Sequence, residues 1–455
     1  MKYLLDEKFI LRGWQRLPHT LVDTSTGNLI FLTSEEFDFL LKCDGKYLFD
    51  IENNEHKRFI STFAQKKIIN LESGKLKNIQ KYKYYENAYI PNIHWAITEN
   101  CNLQCKHCFM SARNWGTENL STEDCYKIVD KLVNIGTFKL SLTGGEPLIR
   151  KDLFELISYI VNNNIIITDI YTNGSLISEV FIQNLKALNI NPIFHVSFDG
   201  LLYHDWMRNN KYVSNATYNG VKLLRNNNYN VHISYSLCKE NRNNLIESFD
   251  EISTWNVQFL KVGFINPIGR WSISYNESLT TKEIYDCFLE IIPIIIEKKY
   301  PMTINLGGFI EIAANAANYS FPLIKKKIQL NDLIQYPMCV TMRNNLYIDP
   351  KGKLRLCEML IEFDNEKLPD ILTDDLGKHM DINSDFMKLL CKPLGEMLEE
   401  NNTCKTCDFL ENCHMGCRAN AYNFNGNYKS PDSFRCVFFK NNYINKITKV
   451  INRSL

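Results

Sequence analysis

Hydrophobic and polar positions follow three different rhythms along the chain. Up to about residue 75, short apolar runs alternate with turn residues and helical patterns, and from residue 93 to about 310 apolar runs alternate with amphipathic stretches. After about residue 335 the pattern becomes irregular. These changes predict an N-terminal unit, a linker, a barrel, a bridging region and a C-terminal domain, at residues 1–75, 76–92, 93–310, 311–334 and 335–455.

The N-terminal segment has the pattern of a small α/β unit. Its apolar runs predict strands at residues 9–14, 19–23 and 28–32. Thr33 opens the capping-box sequence TSEE, which predicts that a helix begins there. The expected buried face of this helix consists of Phe37, Leu40 and Leu41. A second helix is expected at 54–66, and the polar stretch after it lacks periodicity, as a linker does.

From residue 93 the pattern repeats as strand, loop and helix. The apolar runs predict strands at 93–98, 138–143, 165–172, 192–198, 231–237 and 259–265. Amphipathic helices are expected between them, at 122–135, 151–163, 178–188 and 215–227. This alternation predicts an α/β fold of parallel βα units, and six units fit a partial (β/α)6 TIM-like barrel better than a closed barrel of eight. A last strand is expected near 302–306.

Composition and charge indicate the cellular compartment of the protein and disfavour nucleic acid and membranes as partners. Hydrophobic residues make up 45% of the 455 positions and charged residues 23%, as in a globular protein. The net charge of +1 disfavours nucleic acid or membrane binding by bulk charge. The first 30 residues resemble no signal peptide and no stretch is long enough to span a membrane, so we expect a cytoplasmic protein. In that compartment, fifteen cysteines indicate metal or redox chemistry rather than disulfides.

A cluster of three cysteines, Cys101, Cys105 and Cys108, follows the first barrel strand. Barrel active sites are assembled at this carboxyl end of the strands. A 4Fe–4S cluster usually has four thiolate ligands, so three cysteines leave one iron free to bind a substrate or cofactor. The alternatives are a chance grouping or a zinc site, for which His107 is available at a spacing poorly suited to a tetrahedral ligand set.

Further motifs end the next three strands. TGGEP, residues 143–147, follows the second strand, where Gly144 and Gly145 let the backbone approach a ligand and Glu146 offers an acceptor for an ammonium group. YTNG, at 171–174, ends the third strand, and SFDG, at 197–200, ends the fourth. Each of these is also a common turn sequence, and it is their order along the strands that makes the set specific.

The three-cysteine spacing and these motifs together resemble radical S-adenosylmethionine (SAM) enzymes. The resemblance implies that the cysteines hold a 4Fe–4S cluster whose open iron binds the amino and carboxylate groups of SAM. Reduction by an external donor such as flavodoxin or ferredoxin would then release a 5′-deoxyadenosyl radical that abstracts a substrate hydrogen. The implied SAM-binding residues are His107, Gly144, Gly145, Glu146, Thr172, Asn173, Ser197, Asp199 and Arg208, the last by pairing with the methionine carboxylate.

The irregular C-terminal region holds the second group of cysteines. Cys339-x12-Gly352-x4-Cys357 is followed by Cys404-x2-Cys407-x5-Cys413-x3-Cys417-x18-Cys436. This pattern resembles the SPASM extension of peptide-modifying radical SAM enzymes, and zinc ribbons are the alternative. The resemblance implies two auxiliary 4Fe–4S clusters, an outer one held by Cys404, Cys407, Cys413 and Cys436 and an inner one held by Cys339, Cys357 and Cys417. Metal sites would stabilise a segment with little apolar core, in which we expect a hairpin at 344–357 and a final helix.

The fourth ligand of the inner cluster is not evident from the sequence. Many relatives of the resembled type supply it from just before the first cysteine of the pattern, whereas the nearest upstream cysteine here is Cys287. Either one iron stays open or Cys391 reaches it. An open iron would bind a substrate cysteine thiolate and lower its pKa. A substrate carbon radical would then attack that sulfur and give a thioether, as proposed for maturases of thioether-bridged peptides.

The N-terminal unit resembles, in its order of elements, the winged-helix-like leader-recognition domain of peptide maturases. The resemblance implies binding of a precursor leader as an added strand at a sheet edge, with a plain packing domain as the alternative. The sequence therefore predicts a radical SAM maturase of a ribosomal precursor peptide, of the sactipeptide or ranthipeptide type. Alternatives are carbon–carbon crosslinking, epimerisation with Cys238 or Cys391 as hydrogen donor, sulfatase-type oxidation, or a non-catalytic metal scaffold that binds a peptide.

Three histidines within predicted strands have no evident role in this scheme. His94, His195 and His232 each lie among apolar and small polar residues of a barrel strand. We predict that they are packed barrel histidines with satisfied hydrogen bonds, although the sequence does not identify their partners.

Overall fold

The N-terminal unit is built on two small sheets. The computed structural model describes residues 1–71, 82–113, 116, 120–274, 278–313, 315 and 318–454. The first elements are β1 (Tyr3–Leu5), β2 (Phe9–Gln15), β3 (Leu17–Asp23), β4 (Asn28–Phe31), α1 (Ser34–Leu41), α2 (Asn54–Gln65), β5 (Ile69–Leu71) and β6 (Lys83–Ala88). The main sheet has the order β4-β3-β2-β6, and β1 pairs with β5. The predicted strands and helices of this unit are confirmed, while β1 and β5 were not predicted.

Helix α1 begins as its capping sequence predicts. The Thr33 side chain accepts a hydrogen bond from the Glu36 backbone, and the Glu36 carboxylate accepts one from the Thr33 backbone. The predicted buried face is wrong at one position, since Leu41 is 42% exposed while Phe39 is buried. Phe39 packs against the rings of Phe49 and Phe59, which come from outside the helix and cannot be read from its own periodicity.

The predicted linker of residues 76–92 contains a strand. Residues 76–81 lie outside the described residues, and β6 occupies 83–88 in parallel with β2. Tyr85 of β6 stacks on Trp14 of β2 with ring centroids 5.3 Å apart. The strand β6 was not predicted because its sequence is polar. It is stabilised by pairing with β2, which is far away in the chain.

The barrel consists of six consecutive βα units. Its strands are β7 (Ile93–Ala96), β8 (Lys139–Thr143), β9 (Ile166–Thr172), β10 (Ile193–Ser197), β11 (Val231–Leu237), β12 (Phe259–Phe264) and β13 (Thr303–Leu306). Its helices are α3 (Thr122–Asn134), α4 (Leu153–Asn162), α5 (Glu179–Ala187), α6 (His204–Arg208), α7 (Val213–Asn226), α8 (Leu245–Ser253), α9 (Arg270–Ser274) and α10 (Thr281–Lys298). Neighbouring strands from β7 to β13 pair in parallel, as predicted, and within the described part of the chain the sheet does not close on itself.

Further strands extend both edges of this sheet. β14 (Ile310–Ala313) and β15 (Asn318–Ser320), which lie mostly in the predicted bridging region, continue it antiparallel beyond β13. β16 (Leu346–Ile348) pairs in parallel with β7 and forms the predicted hairpin with β17 (Leu354–Arg355). The C-terminal domain is therefore joined to the first barrel strand through backbone hydrogen bonds.

Alternate residues of the barrel strands face opposite sides of the sheet. Trp95 and Leu142 are fully buried in the core between the sheet and its helices. Their neighbours His94 and Ser141 therefore face the concave side of the open barrel. In these two strands the concave side carries polar side chains, whereas the convex side carries apolar ones that pack against the helices.

The C-terminal domain contains more helix than the sequence predicts. Its helices are α11 (Leu330–Leu333), α12 (Val340–Asn344), α13 (Leu376–His379), α14 (Asp385–Leu390), α15 (Leu394–Glu399), α16 (Asn402–Lys405), α17 (Leu410–Cys413), α18 (Arg418–Asn425), α19 (Ser433–Lys440) and α20 (Tyr443–Ser454). The final helix α20 is confirmed, while most of the others are too short to show a hydrophobic period. Among the described residues, no helix is both long and apolar enough to cross a membrane.

Candidate functional site

The loop after β7 brings Cys101, Cys105 and Cys108 together at the carboxyl end of the barrel. Arg113 closes the loop: it accepts a hydrogen bond from the Cys101 backbone at 2.8 Å and donates one to the Glu99 carbonyl at 3.0 Å. Burial raises the pKa of the Cys101 thiol to about 12, so its thiolate form depends on compensating charge and hydrogen bonds.

Each of the three sulfurs accepts a hydrogen bond from the protein. The Leu103 backbone donates to Cys101 Sγ at 3.4 Å, and the Ala112 backbone donates to Cys108 Sγ at 3.3 Å. Arg208 Nη1 donates to Cys105 Sγ at 3.6 Å. Donors aimed at all three sulfurs favour the thiolate form that binds iron, and the three residues therefore fit the cluster that their spacing predicts.

Arg208 is held by Asp199, which ends β10. Its Nε donates to Asp199 Oδ2 at 2.7 Å, and Asp199 Oδ1 accepts a hydrogen bond from the Ser236 backbone at 3.1 Å. Burial acts to raise the pKa of Asp199, but Arg208 outweighs it and holds this pKa well below its usual range. Asp199 is predicted to contact SAM, and the contacts that the structure shows for it orient the guanidinium instead.

Glu146 of the GGEP turn is completely buried and bound to the end of β9. Its carboxylate accepts hydrogen bonds from the Thr172 hydroxyl and the Asn173 backbone, both at 2.7 Å, and from the Leu148 backbone at 3.2 Å. Burial raises the pKa of Glu146 to about 7 despite these donors. The residue therefore ties the loop after β8 to the loop after β9, and an additional contact with an ammonium group stays a prediction.

The two glycines of this turn lie against the strand that leads to the cysteine loop. A side chain at Gly145 would place Cβ 2.2 Å from the Asn100 carbonyl oxygen, and one at Gly144 would place it 2.6 Å from that of Thr98. Gly144 also has φ of +156°. Only glycine allows this approach, which aligns the GGEP turn with the residues just before Cys101.

The other predicted SAM contacts surround the same loop. Asn173 donates from its amide to Asn102 Oδ1 at 2.8 Å, which links the end of β9 to the cysteine loop. Ser197 is partly buried at the end of β10. His107 Nδ1 is buried without a hydrogen-bond partner among the described residues, and burial together with Arg208 lowers the pKa of His107 to about 3. The predicted SAM-site residues therefore lie at the ends of the strands β9 and β10 or in the segments that follow β7, β8, β9 and β10, with Arg208 at the end of α6.

The concave face below these loops carries a row of rings. Tyr171 stacks on His195 at 4.3 Å between centroids and contacts His94 at 4.7 Å, and His195 lies 5.1 Å from His232. His195 Nε2 lies 2.8 Å from Asp169 Oδ1, as expected of a packed histidine. Burial and His195 lower the pKa of His232 to about 4. Sequence reasoning missed Asp169, whose only signal was its place on the same predicted strand as Tyr171.

His94 differs from the other two histidines. Its Nδ1 lies 2.7 Å from Glu358 Oε2, whereas its Nε2 is buried and has no hydrogen-bond partner within the described part of the chain. The prediction of a fully satisfied packed histidine is therefore wrong for His94. Sequence reasoning also missed Glu358, although its position directly after Cys357 was a signal.

The C-terminal cysteines converge in the two predicted groups. A cavity of about 20 Å³ is lined by Cys404, Cys407, Cys413 and Cys436. A larger cavity of about 780 Å³ is lined by Cys339, Cys357 and Cys417 together with His94 and Glu358. Cys391 lines neither cavity; it follows α14, where burial raises the pKa of its thiol while Arg343 and Arg16 lower it.

Residues 95–252 match the model of the radical SAM superfamily. Among curated proteins, Fe-coproporphyrin III synthase of Methanosarcina barkeri is 30% identical over 46% of this chain and 54% of its own length. AdoMet-dependent heme synthase of the same organism is 24% identical over 76% of this chain and 96% of its own. Mycofactocin maturase MftC of Mycobacterium tuberculosis is 25% identical over 71% and 77%, respectively. The chain thus spans about half of the first of these relatives and most of the other two.

Two solved structures share the fold. SuiB of Streptococcus suis bound to its precursor peptide SuiA superposes with a TM-score of 0.65 and 15% identity, over 95% of this chain and 99% of SuiB. Native anSMEcpe with bound AdoMet superposes with a TM-score of 0.59 and 17% identity, over 80% of this chain and 98% of that one. At this level of identity the likeness concerns the fold alone.

The partial barrel, its three-cysteine loop and the family match agree with one another. Residues 95–252 match the radical SAM superfamily, and this part of the chain contains the loop of Cys101, Cys105 and Cys108. The fold of the chain is shared with SuiB and anSMEcpe.

Proposed function

We propose that this protein is a radical SAM enzyme that matures a ribosomally made precursor peptide and forms thioether crosslinks from a cysteine sulfur to carbon. The observation that carries the proposal is the cavity of Cys339, Cys357 and Cys417, which His94 of the first barrel strand also lines. A group bound by these cysteines would lie next to the concave face on which a substrate radical forms. A substrate cysteine would then be held by one site while its carbon partner is activated at the other.

Cys101, Cys105 and Cys108 would hold the SAM-binding cluster. When bound and reduced by a low-potential donor such as flavodoxin or ferredoxin, this cluster and SAM supply a 5′-deoxyadenosyl radical. Arg208 would neutralise negative charge beside Cys105 and present its guanidinium to the SAM carboxylate. Glu146, Thr172 and Asn173 would keep the loops around the cofactor in fixed positions.

The C-terminal domain would hold two auxiliary clusters in a SPASM-like arrangement. Cys404, Cys407, Cys413 and Cys436 form a complete ligand set for the outer cluster. Four thiols that line one cavity fit a 4Fe–4S cluster, in which each thiolate binds a different iron. The inner set has three thiols, and the position of Cys391 outside the cavity supports a fourth place without a cysteine ligand.

The N-terminal unit would bind the leader of the precursor. β4 is an edge of its sheet, and two large apolar side chains of this strand are exposed, Ile30 at 36% and Phe31 at 66%. An extended peptide added to this edge would gain backbone hydrogen bonds and two apolar contacts. The superposition with peptide-bound SuiB over 95% of this chain supports a peptide substrate.

A tetrapyrrole substrate is the second candidate. It is favoured by the two Methanosarcina relatives, one of which aligns over 96% of its length with this chain. A peptide substrate is preferred because the edge strand of the N-terminal unit fits a peptide backbone better than a macrocycle. Carbon–carbon crosslinking and epimerisation are peptide modifications that the same scaffold would also support.

The proposal is tested by mass analysis of the cysteine-containing peptide encoded beside the gene for this chain. The peptide is incubated anaerobically with reconstituted enzyme, SAM and dithionite, and then treated with iodoacetamide. Loss of two hydrogens per bridge, with the bridged cysteines no longer alkylated, is the expected result. The Cys101→Ala, Cys105→Ala, Cys108→Ala triple variant is the control and should leave the peptide unchanged.

Other outcomes separate the alternatives. Loss of two hydrogens with every cysteine still alkylated would indicate carbon–carbon bonding and contradict the thioether. Release of 5′-deoxyadenosine with no mass change would indicate epimerisation. Turnover of coproporphyrin instead of the peptide would indicate the tetrapyrrole function.

A further inference from the structure

The larger C-terminal cavity contains a buried histidine nitrogen without a hydrogen-bond partner. His94 is 4% exposed, and it lines this cavity together with the cysteines of the inner set. Its Nε2 is buried and has no partner within the described ranges, although an unsatisfied polar atom in a protein interior costs about 1–3 kcal/mol. We therefore expect a group bound in the cavity to interact with His94 Nε2.

The other nitrogen of His94 determines what kind of partner fits. Nδ1 lies 2.7 Å from Glu358 Oε2. In the neutral ring, Nδ1 therefore carries the hydrogen and donates a hydrogen bond to the carboxylate. Nε2 is then left with a lone pair. A histidine that binds a metal typically donates its other N–H to a carboxylate, which fixes the tautomer and makes the binding nitrogen more basic. The His94–Glu358 pair has this arrangement, and Glu358 directly follows Cys357.

Packing holds the His94 ring in one orientation. Tyr171 lies at 4.7 Å from it and Tyr347 at 5.7 Å, measured between ring centroids. Tyr347 belongs to β16, which pairs with the strand of His94, and Glu358 follows the hairpin of β16 and β17. The residues that fix His94 therefore come from both the barrel and the C-terminal domain. The cysteines of the inner set line the cavity between these same elements.

The other side chains of this cavity are less suited to complete the inner set. Cys391 does not line the cavity. His414 does, but its Nε2 donates to the Glu411 carbonyl at 3.0 Å. Lys325 and Arg435 also line it and are cations. Of the two histidines that line the cavity, His94 is thus the one with a buried ring nitrogen that has no hydrogen-bond partner among the described residues.

We propose that His94 Nε2 is the fourth protein ligand of the inner auxiliary cluster in the substrate-free enzyme, oriented by Glu358. The inner set is then three cysteines and one histidine. A nitrogen ligand leaves iron more readily than a thiolate does when a soft sulfur ligand competes, so this position is the one at which a substrate cysteine binds. The inference rests on the proposed function in assuming that an iron–sulfur cluster occupies the inner set.

Spectroscopy of the reduced auxiliary clusters tests this ligand without any turnover. The full-length triple variant without Cys101, Cys105 and Cys108 removes the signal of the SAM-binding cluster. It is prepared with 15N-labelled and with 14N histidine, reduced with dithionite without SAM or peptide, and examined by pulsed electron paramagnetic resonance. We expect a hyperfine coupling of directly bound nitrogen that changes with the isotope, and its loss in His94→Ala and His94→Gln.

Two variants serve as matched controls. His195→Ala removes a histidine from another strand of the same sheet, and His414→Ala removes the other histidine of the cavity. Both should keep the coupling. If His94→Ala does not fold, the isotope comparison in the parent protein and His94→Gln still decide the result.

The possible results separate this inference from the function on which it rests. About eight irons per chain with no isotope-dependent coupling would overturn the His94 ligand and leave the auxiliary clusters in place. Loss of the coupling in His414→Ala instead of His94→Ala would overturn it as well. The triple variant would instead contain about four irons per chain if only one auxiliary cluster is present. If, in addition, Cys357→Ala changed none of its paramagnetic resonance signals, the inner cluster would be absent and the proposed function would fail.

Discussion

Arg208 lies 2.7 Å from Asp199, and both side chains are buried at the mouth of the barrel beside the cysteine loop. Arg208 also donates a hydrogen bond to Cys105. The pair therefore links the end of β10 to one of the predicted iron ligands. A buried charge pair contributes less by its own attraction than it costs when one partner is removed. The pair is therefore a sensitive point of the fold as well as of the site.

We predict that Asp199→Asn destabilises the protein by about 3–5 kcal/mol, because it leaves the Arg208 guanidinium buried without its carboxylate. Urea unfolding of anaerobically purified protein measures the change. Glu52→Gln is the control, since the Lys57–Glu52 ion pair is exposed at the surface and should contribute less than about 1 kcal/mol. An effect of Asp199→Asn as small as that of the control would contradict the prediction.

The raised pKa of Glu146 predicts that the stability of the protein depends on pH. Burial raises its pKa in the folded state from 4.5 to about 7, so the folded protein holds this proton more tightly than the unfolded chain. The stability it contributes is present below pH 4.5 and is lost as the pH rises through about 7. We therefore expect the unfolding free energy of the native protein, relative to Glu146→Gln, to fall by about 3 kcal/mol between these pH values.

Urea unfolding of both proteins at several pH values measures this difference. Glu146→Gln keeps a polar side chain of nearly the same shape but cannot ionise, so the comparison isolates one titrating group. A constant difference between the two proteins across the range would show that Glu146 does not titrate there.

Gly145 limits the space between the GGEP turn and the cysteine loop. Gly145→Ala would place Cβ 2.2 Å from the Asn100 carbonyl and displace the residues next to Cys101. Such overpacking typically costs about 1–3 kcal/mol, and we expect SAM affinity to fall by about tenfold or more. Equilibrium dialysis with labelled SAM measures the affinity, with Gly377→Ala as a control because its Cβ would meet no atom closer than 3.4 Å.

Much of this site can be predicted from sequence because its residues follow strands. The cysteine loop, GGEP, YTNG and SFDG each end a strand of the barrel, and parallel strands bring their carboxyl ends to one edge. The partners of these residues are less predictable. Asp199 orients Arg208, which lies on the short helix α6 after the same strand, and Glu146 binds the end of β9 from the loop after β8. No local sequence pattern encodes either contact.

The misses elsewhere have the same physical origin. The strand β6 lies in a polar stretch and depends on Trp14, which is far from it in sequence. Phe39 replaces Leu41 on the buried face of α1 because aromatic rings from other elements surround it. His94 is read correctly as a barrel residue, but its neighbour Glu358 arrives from the C-terminal domain.

Iron content would distinguish the cysteines that we propose as cluster ligands from Cys391. Reconstituted protein with three clusters should contain about twelve irons per chain. Because Cys391 lies outside both C-terminal cavities, we expect Cys391→Ala to keep this content. Cys413→Ala removes a thiol from a complete set of four and should lose about four irons. Loss of iron in Cys391→Ala would instead identify this residue as a ligand.

The most direct measurement follows the hydrogen that the radical removes. The precursor peptide is synthesised with deuterium at its carbon-bound positions and incubated anaerobically with the enzyme, SAM and dithionite, and the 5′-deoxyadenosine is analysed by mass spectrometry. A radical SAM peptide maturase transfers deuterium from the peptide to 5′-deoxyadenosine, and the triple cysteine variant produces none. Formation of 5′-deoxyadenosine without deuterium, while the peptide remains intact, would contradict a peptide as the substrate.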